Sequence, residues 1–250
     1  MDLYTVRDPG FQQTRPSTPG QYHPGVPFFP AGGFNIEVTT DKGITGLGRG
    51  GASGKPVAES IAKLLAGQDP FDVEKLWDVM WKSTLAYGRM GVAIHAISGI
   101  DTAIWDIVGK AAGLPVYKMI GGATKPRIPS YCTLNHVQHH MKLGFRKLKL
   151  ALPYGPPSGR EGLEKNVEMV RWARELLGPQ GEIMLDCWMA LTERYTIELA
   201  EAVAPYRVYW IEEALPPDDY QGYARLNATI KTTQSPVCCR CSPGANPSRL

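Results

Sequence analysis

Two carboxylates, Asp186 and Glu212, each end a short apolar run: Ile-Met-Leu-Asp at 183–186 and Tyr-Trp-Ile-Glu at 209–212. A short apolar run of this kind reads as a buried strand. The two acids lie about one strand–helix–strand unit apart, a unit of roughly 30 residues. In an eight-stranded parallel barrel, successive strand ends meet at one face, where the chemistry sits. Two hard oxygen ligands there suit Mg²⁺. A third ligand is expected one unit later, near residue 240, where the sequence reads Val-Cys-Cys-Arg-Cys. Spacing alone also allows ordinary strand-end acids with no metal. The neighbouring Glu213 is expected to support the site or form an ion pair rather than coordinate.

Lys149 sits among apolar neighbours in Phe-Arg-Lys-Leu-Lys-Leu-Ala-Leu, residues 145–152. The alternation of strand side chains aims it inward, towards the same site; the competing reading is a surface lysine lying along apolar surface. Lys147 is the alternative partner if the register slips by two. His136, His139 and His140 resemble a metal cluster but read better as the polar face of a helix or loop. His95, in an apolar helix, reads as a core histidine. Cys238, Cys239 and Cys241 lack the second pair that a zinc site needs.

The elements that must position these residues fall into two groups. Residues 34–40 alternate apolar and polar, Asp41-Lys-Gly makes a turn, and residues 44–48 return as a second strand. Glycines at 46, 48, 50 and 51 indicate a backbone held close to another element; neither phosphate-loop spacing is present. Helices follow at about 56–65, 72–85 and 91–113, the last apolar nearly all round and therefore buried. After Gly121-Gly122, strand patterns at 128–134, 145–152, 183–188 and 208–214 alternate with helices near 164–177 and 196–204. Strands alternating with helices make a parallel sheet. The fold expected is an α+β capping domain over 1–125 and a partial (β/α)8, TIM-type barrel over 126–232, with about half the strands present. Residues 233–250 have neither periodicity and read as a disordered tail.

The chain has 250 residues, 43% of them hydrophobic, and a net charge of +3. The charge is weak and interspersed, so no nucleic-acid partner is implied. Asp101 and Asp106 interrupt the longest apolar stretch, which argues against a membrane span. The N-terminus lacks a signal-peptide core, and five cysteines without one do not suggest a disulfide framework. Cys132 and Cys187 read as small buried hydrophobes. A cytoplasmic location is the expectation.

Four stretches carry a family resemblance: residues 98–122, from Ser-Gly-Ile-Asp-Thr-Ala-Ile-Trp-Asp to Met-Ile-Gly-Gly; Gly144-Phe-Arg-Lys-Leu-Lys; Met184-Leu-Asp-Cys-Trp-Met; and Trp210-Ile-Glu-Glu-Ala-Leu-Pro-Pro-Asp-Asp-Tyr. In this order the chain resembles the mandelate racemase/muconate lactonizing branch of the enolase superfamily, and within it the acid-sugar dehydratases of L-rhamnonate type. The resemblance implies a capping domain over a modified barrel, with Asp186 and Glu212 as two of three Mg²⁺ ligands. It implies removal of the proton beside a substrate carboxylate, with the metal neutralising the developing charge, and expulsion of a hydroxyl to give a 2-keto-3-deoxy acid. Racemases of the branch carry Lys-x-Lys on the second barrel strand. Here Lys149 aligns with the first lysine and Ala151 with the second, so Lys149 is the catalytic candidate but not the racemase-type base. His23, in the proline-rich segment of residues 7–33, is a substrate-binding candidate.

By the same resemblance, the third carboxylate and a histidine base belong to segments for which this sequence has no counterpart. The expectation is therefore a C-terminally truncated, inactive dehydratase. Its partner would be a small acid sugar, and it would associate as a homo-oligomer or through an open barrel edge. A non-catalytic isoform or fragment binding a full-length partner, and an epimerase or racemase of the same superfamily, are the alternatives.

Overall fold

The structure is a computed structural model that describes residues 2–6, 33–51, 53–133, 135–231 and 237. It divides into two compact units, with the described residues up to Arg127 in one and those from Ile128 in the other. His23 and the three tail cysteines lie outside the described residues.

The first unit is built on an antiparallel sheet in the order β1 (Asp2–Val6), β2 (Phe34–Thr39), β3 (Thr45–Gly50). Alternation along β2 buries Ile36 and Val38. Helices α1 (Lys55–Leu65), α2 (Val73–Thr84), α3 (Val92–Ala112) and α4 (Val116–Met119) follow. The glycines of β3 let α3 come very close. A Cβ on Gly48 would lie 1.8 Å from the Gly99 carbonyl oxygen, and one on Gly46 would lie 2.0 Å from that of Ala103. Asp106 of α3 then accepts a hydrogen bond from the Leu47 amide (2.8 Å), and Lys110 donates to the Thr45 carbonyl (2.7 Å). Thus α3 satisfies part of the β3 edge that lacks a strand neighbour. Among the described residues α3 is long and apolar enough to span a membrane, but its apolar positions form the core of this unit. It ends where Gly113 takes a left-handed conformation and its amide reaches the last-turn carbonyls.

The second unit is a parallel sheet in the order β4 (Cys132–Thr133), β5 (Lys147–Ala151), β6 (Glu182–Asp186), β7 (Ile211–Glu212). Helices α5 (Val137–Lys142), α6 (Gly159–Leu177), α7 (Glu193–Val203) and α8 (Tyr220–Thr229) alternate with the strands. This is the expected α+β cap and partial barrel. One face of β5 buries Leu148 and Leu150 in the apolar core shared with the helices. Lys147, Lys149 and Ala151 alternate onto the other face.

Several elements depart from the sequence reading. The first barrel strand pairs over two residues rather than 128–134: Ile128 is 81% exposed, and Pro129 has no N–H for a ladder. The last strand is regular over two residues, yet backbone hydrogen bonds to β6 and the segment after it run further, from the Tyr209 amide on Ile183 to the Ala214 carbonyl on Leu191. Helix α8 was not expected; Asp219 caps it by accepting from the Gly222 amide at 2.8 Å. Ile230 caps the C-terminal end of α8 in an extended conformation. His95 is exposed rather than in the core, because it falls on the outer side of α3. Val237, in the stretch read as a tail, is buried, and its amide and carbonyl both bond the Asn227 side chain.

Candidate metal centre

Asp186 ends β6 and Glu212 ends β7, and the two residues are paired in register. Lys149, on β5, reaches up between them. Its ammonium lies 3.0 Å from Asp186 Oδ2 and 2.7 Å from Glu212 Oε1. Both Lys149 and Asp186 are buried, and Glu212 is half-buried. Lys147 sits lower on the same face and pairs with Glu182 at 2.7 Å, away from both acids. Burial works against the charged form of Lys149. Hydrogen bonds from its ammonium to Glu212 and Asp186, with their charges, outweigh that and hold its pKa above the ordinary 10.5. These contacts favour its protonated, cationic form.

Other groups fix the two carboxylates. Trp210 is two residues before Glu212 and therefore on the same face; its indole donates to Glu212 Oε2 at 3.1 Å. The Trp188 amide approaches Asp186 Oδ1 at 3.4 Å. Tyr131 places its ring 5.8 Å from the Lys149 ammonium and meets Trp210 edge-on at 5.4 Å. Asn135 clasps Ala151, the register partner of Asp186, through both its amide and its carbonyl, each at 2.8 Å. Trp210 and Trp188 stand in the sequence motifs with no role assigned to them there, and Tyr131 and Asn135 carry no sequence signal. For Trp210 the two-residue step from Glu212 was an available signal.

The backbone at this rim is strained. Trp188, Met189 and Glu213 are non-glycine residues with φ of 52°, 60° and 52°. Conformations of this kind cost about 1–3 kcal/mol each and persist where surrounding contacts impose them. Here the amides of Cys187, Met189 and Leu191 bond the carbonyls of Glu212, Glu213 and Ala214. Glu213 turns into the protein and is buried.

The donor set fits a hard cation. One compact ammonium already touches both acids, so their oxygens converge on a single cation-sized position. Carboxylate oxygens are the ligands Mg²⁺ prefers, and it commonly takes one or two from protein and the rest from water and substrate. Among the described residues no group of three or more His, Cys, Asp or Glu converges as a metal site. The histidines of α5 do not form one. His136 and His139 are exposed, whereas His140 is buried, which departs from the polar-face expectation. Burial and the neighbouring His139 and His136 push its pKa below the usual value.

Comparison with known proteins agrees with this geometry. The mandelate racemase/muconate lactonizing enzyme N-terminal domain matches residues 34–121, and the enolase C-terminal domain-like family matches residues 133–240. An L-rhamnonate dehydratase from Saccharopolyspora erythraea is 41% identical over 201 residues, which are 79% of this chain and 52% of that protein. The crystal structure of rhamnonate dehydratase from Gibberella zeae complexed with Mg has a TM-score of 0.76 at 39% identity, covering 81% of this chain and 51% of that one. A racemase from Streptomyces coelicolor with bound magnesium has a TM-score of 0.71 at 33% identity, covering 80% of this chain and 59% of that one. The chain thus spans about half the length of the relatives it matches. With both domain families matched in order on the capping unit and on the parallel sheet, the chain belongs to the mandelate racemase/muconate lactonizing enzyme family of the enolase superfamily.

Proposed function

We propose that Asp186, Glu212 and Lys149 form part of an acid-sugar dehydratase site, with an L-rhamnonate-like sugar acid as substrate. The observation that supports this most is the convergence of two carboxylates and a protonated lysine at the C-terminal rim of parallel strands. Asp186 and Glu212 would hold Mg²⁺, which supplies positive charge where the substrate carboxylate becomes more negative as its α-proton leaves. Lys149 contributes a second cation at that rim, where positive charge does most for a developing anion. The indole of Trp210 and the amide of Trp188 keep the carboxylates oriented. His23, in the proline-rich segment of residues 7–33, is the proposed substrate contact.

Two measurements test the reading. Calorimetry should show L-rhamnonate binding that requires Mg²⁺ and is lost in Asp186→Asn; binding indifferent to Mg²⁺ would count against the assignment. Turnover is a separate question. With both carboxylates committed to Mg²⁺ and the lysine protonated, none of the three is free to take the α-proton, so the 250-residue chain alone is expected to form no 2-keto-3-deoxy product. Mg²⁺-dependent product, abolished by Asp186→Asn, would show that this chain carries a complete site.

A further inference from the structure

All four oxygens of the two carboxylates are engaged. Asp186 Oδ2 and Glu212 Oε1 contact the Lys149 ammonium at 3.0 and 2.7 Å. Asp186 Oδ1 faces the Trp188 amide at 3.4 Å, and Glu212 Oε2 accepts from the Trp210 indole at 3.1 Å. The two acids carry two negative charges, and Lys149 neutralises one of them from within the fold. We propose that Lys149 is a built-in counter-ion that competes with a divalent cation for Asp186 and Glu212. This rests on the metal-binding reading given above.

The ammonium and a divalent cation would share the same carboxylate oxygens. Mg²⁺ binds carboxylate oxygen at about 2.0–2.1 Å in a demanding octahedral geometry. An ion bridging both acids must use the oxygens the ammonium now holds, or ones on the same two carboxylates. Either choice brings two cations within a few ångströms in a partly desolvated site, where like charges repel strongly. The ammonium must therefore move as the ion enters. Tyr131, 40% exposed, has its ring 5.8 Å from the ammonium and offers a face that can receive it. A flexible four-carbon stem allows that swing. The work of displacing Lys149 is subtracted from the ion's affinity. The same lysine partly compensates the buried Asp186 and half-buried Glu212 when no ion is bound.

The test is a calorimetric Mg²⁺ titration of the full 250-residue chain and three variants, with thermal midpoints recorded with and without Mg²⁺. Lys149→Met should bind Mg²⁺ at least ~10-fold more tightly than the unmodified chain. Its midpoint should rise more on Mg²⁺ addition than that of the unmodified chain. Lys149→Arg keeps the charge and should behave like the unmodified chain; Asp186→Asn should lose binding. If Lys149→Met folds only with metal, Mg²⁺ should restore it from a chelated preparation, and failure to do so would overturn the proposal. Equal or weaker Mg²⁺ binding by Lys149→Met, or Lys149→Arg binding as tightly as Lys149→Met, overturns the competition while the metal site stands. Absence of Mg²⁺ binding by every chain overturns both.

Discussion

At the residue scale, the site depends on orientation as well as on charge. Glu212 is half-buried and its second oxygen is set by the Trp210 indole. Trp210→Phe keeps the ring but removes that donor, a loss of about 0.5–1.5 kcal/mol for one hydrogen bond. Mg²⁺ affinity is expected to fall roughly 2–10-fold, with the fold intact by circular dichroism. An unchanged dissociation constant would show that the indole does not position the ligand. Much of this geometry was legible beforehand. Asp186 and Glu212 end apolar runs, and period-two alternation puts Lys149 on their face and Leu148 and Leu150 on the other. Tyr131 and Asn135 were not legible. They act from the irregular segment around a two-residue strand, where no periodicity marks direction.

At the element scale, two contacts set how the strands are held. Gly48 and Gly99 allow β3 and α3 to meet backbone to backbone. Gly48→Ala would push a methyl into the Gly99 carbonyl, and overpacking of this kind costs about 1–3 kcal/mol or more. Chemical denaturation should therefore show a clearly destabilised chain, and a neutral effect would mean that α3 can slide. The same pair of elements carries an acid-sensitive tie. Burial alone would raise the Asp106 pKa; hydrogen bonds from Lys110 and from the Leu47 amide, with the Lys110 charge, bring it below the ordinary 3.8. A carboxyl with a depressed folded pKa contributes stability that is complete above 3.8 and is lost as pH falls through the folded value. Asp106→Asn should flatten the acid limb of the stability profile below about pH 4. In the second unit, Tyr223 Oη accepts from the Leu215 amide and donates to the Leu215 carbonyl, at 3.0 and 2.6 Å. That clasp fixes the turn following Glu212 and Glu213. The glycine stripe on β3 was readable as close approach. Helix α8 was not, because its apolar positions, Tyr223 and Leu226, are few and its start is signalled mainly by Asp219.

At the scale of the whole molecule, the parallel sheet raises a question of cover. Parallel sheets are normally protected on both faces and are rarely left open. Among the described residues, β4 and β7 are sheet edges, and the β5 face bearing Lys147 and Lys149 is polar. The 250-residue chain is therefore expected to self-associate. Size-exclusion chromatography checks this: a monomer that unfolds cooperatively above ~60 °C, near the top of the mesophile range, would contradict it. The two-part organisation was visible in the change from a hairpin with helices to alternating strands and helices. The outward placement of His95 was not, since a helix apolar nearly all round gives little sign of which side is wet.

The tryptophans at the rim have a practical consequence. Of six tryptophans in the chain, Trp210 donates directly to one candidate ligand, and the Trp188 backbone approaches the other. Indole emission responds to nearby charge and to the loss or gain of an N–H partner. A cation arriving at the proposed site between Asp186 and Glu212 would change the charge beside the Trp210 indole. Trp210 emission would then report occupancy of that site, and a Trp210→Phe comparison would isolate its signal without any label.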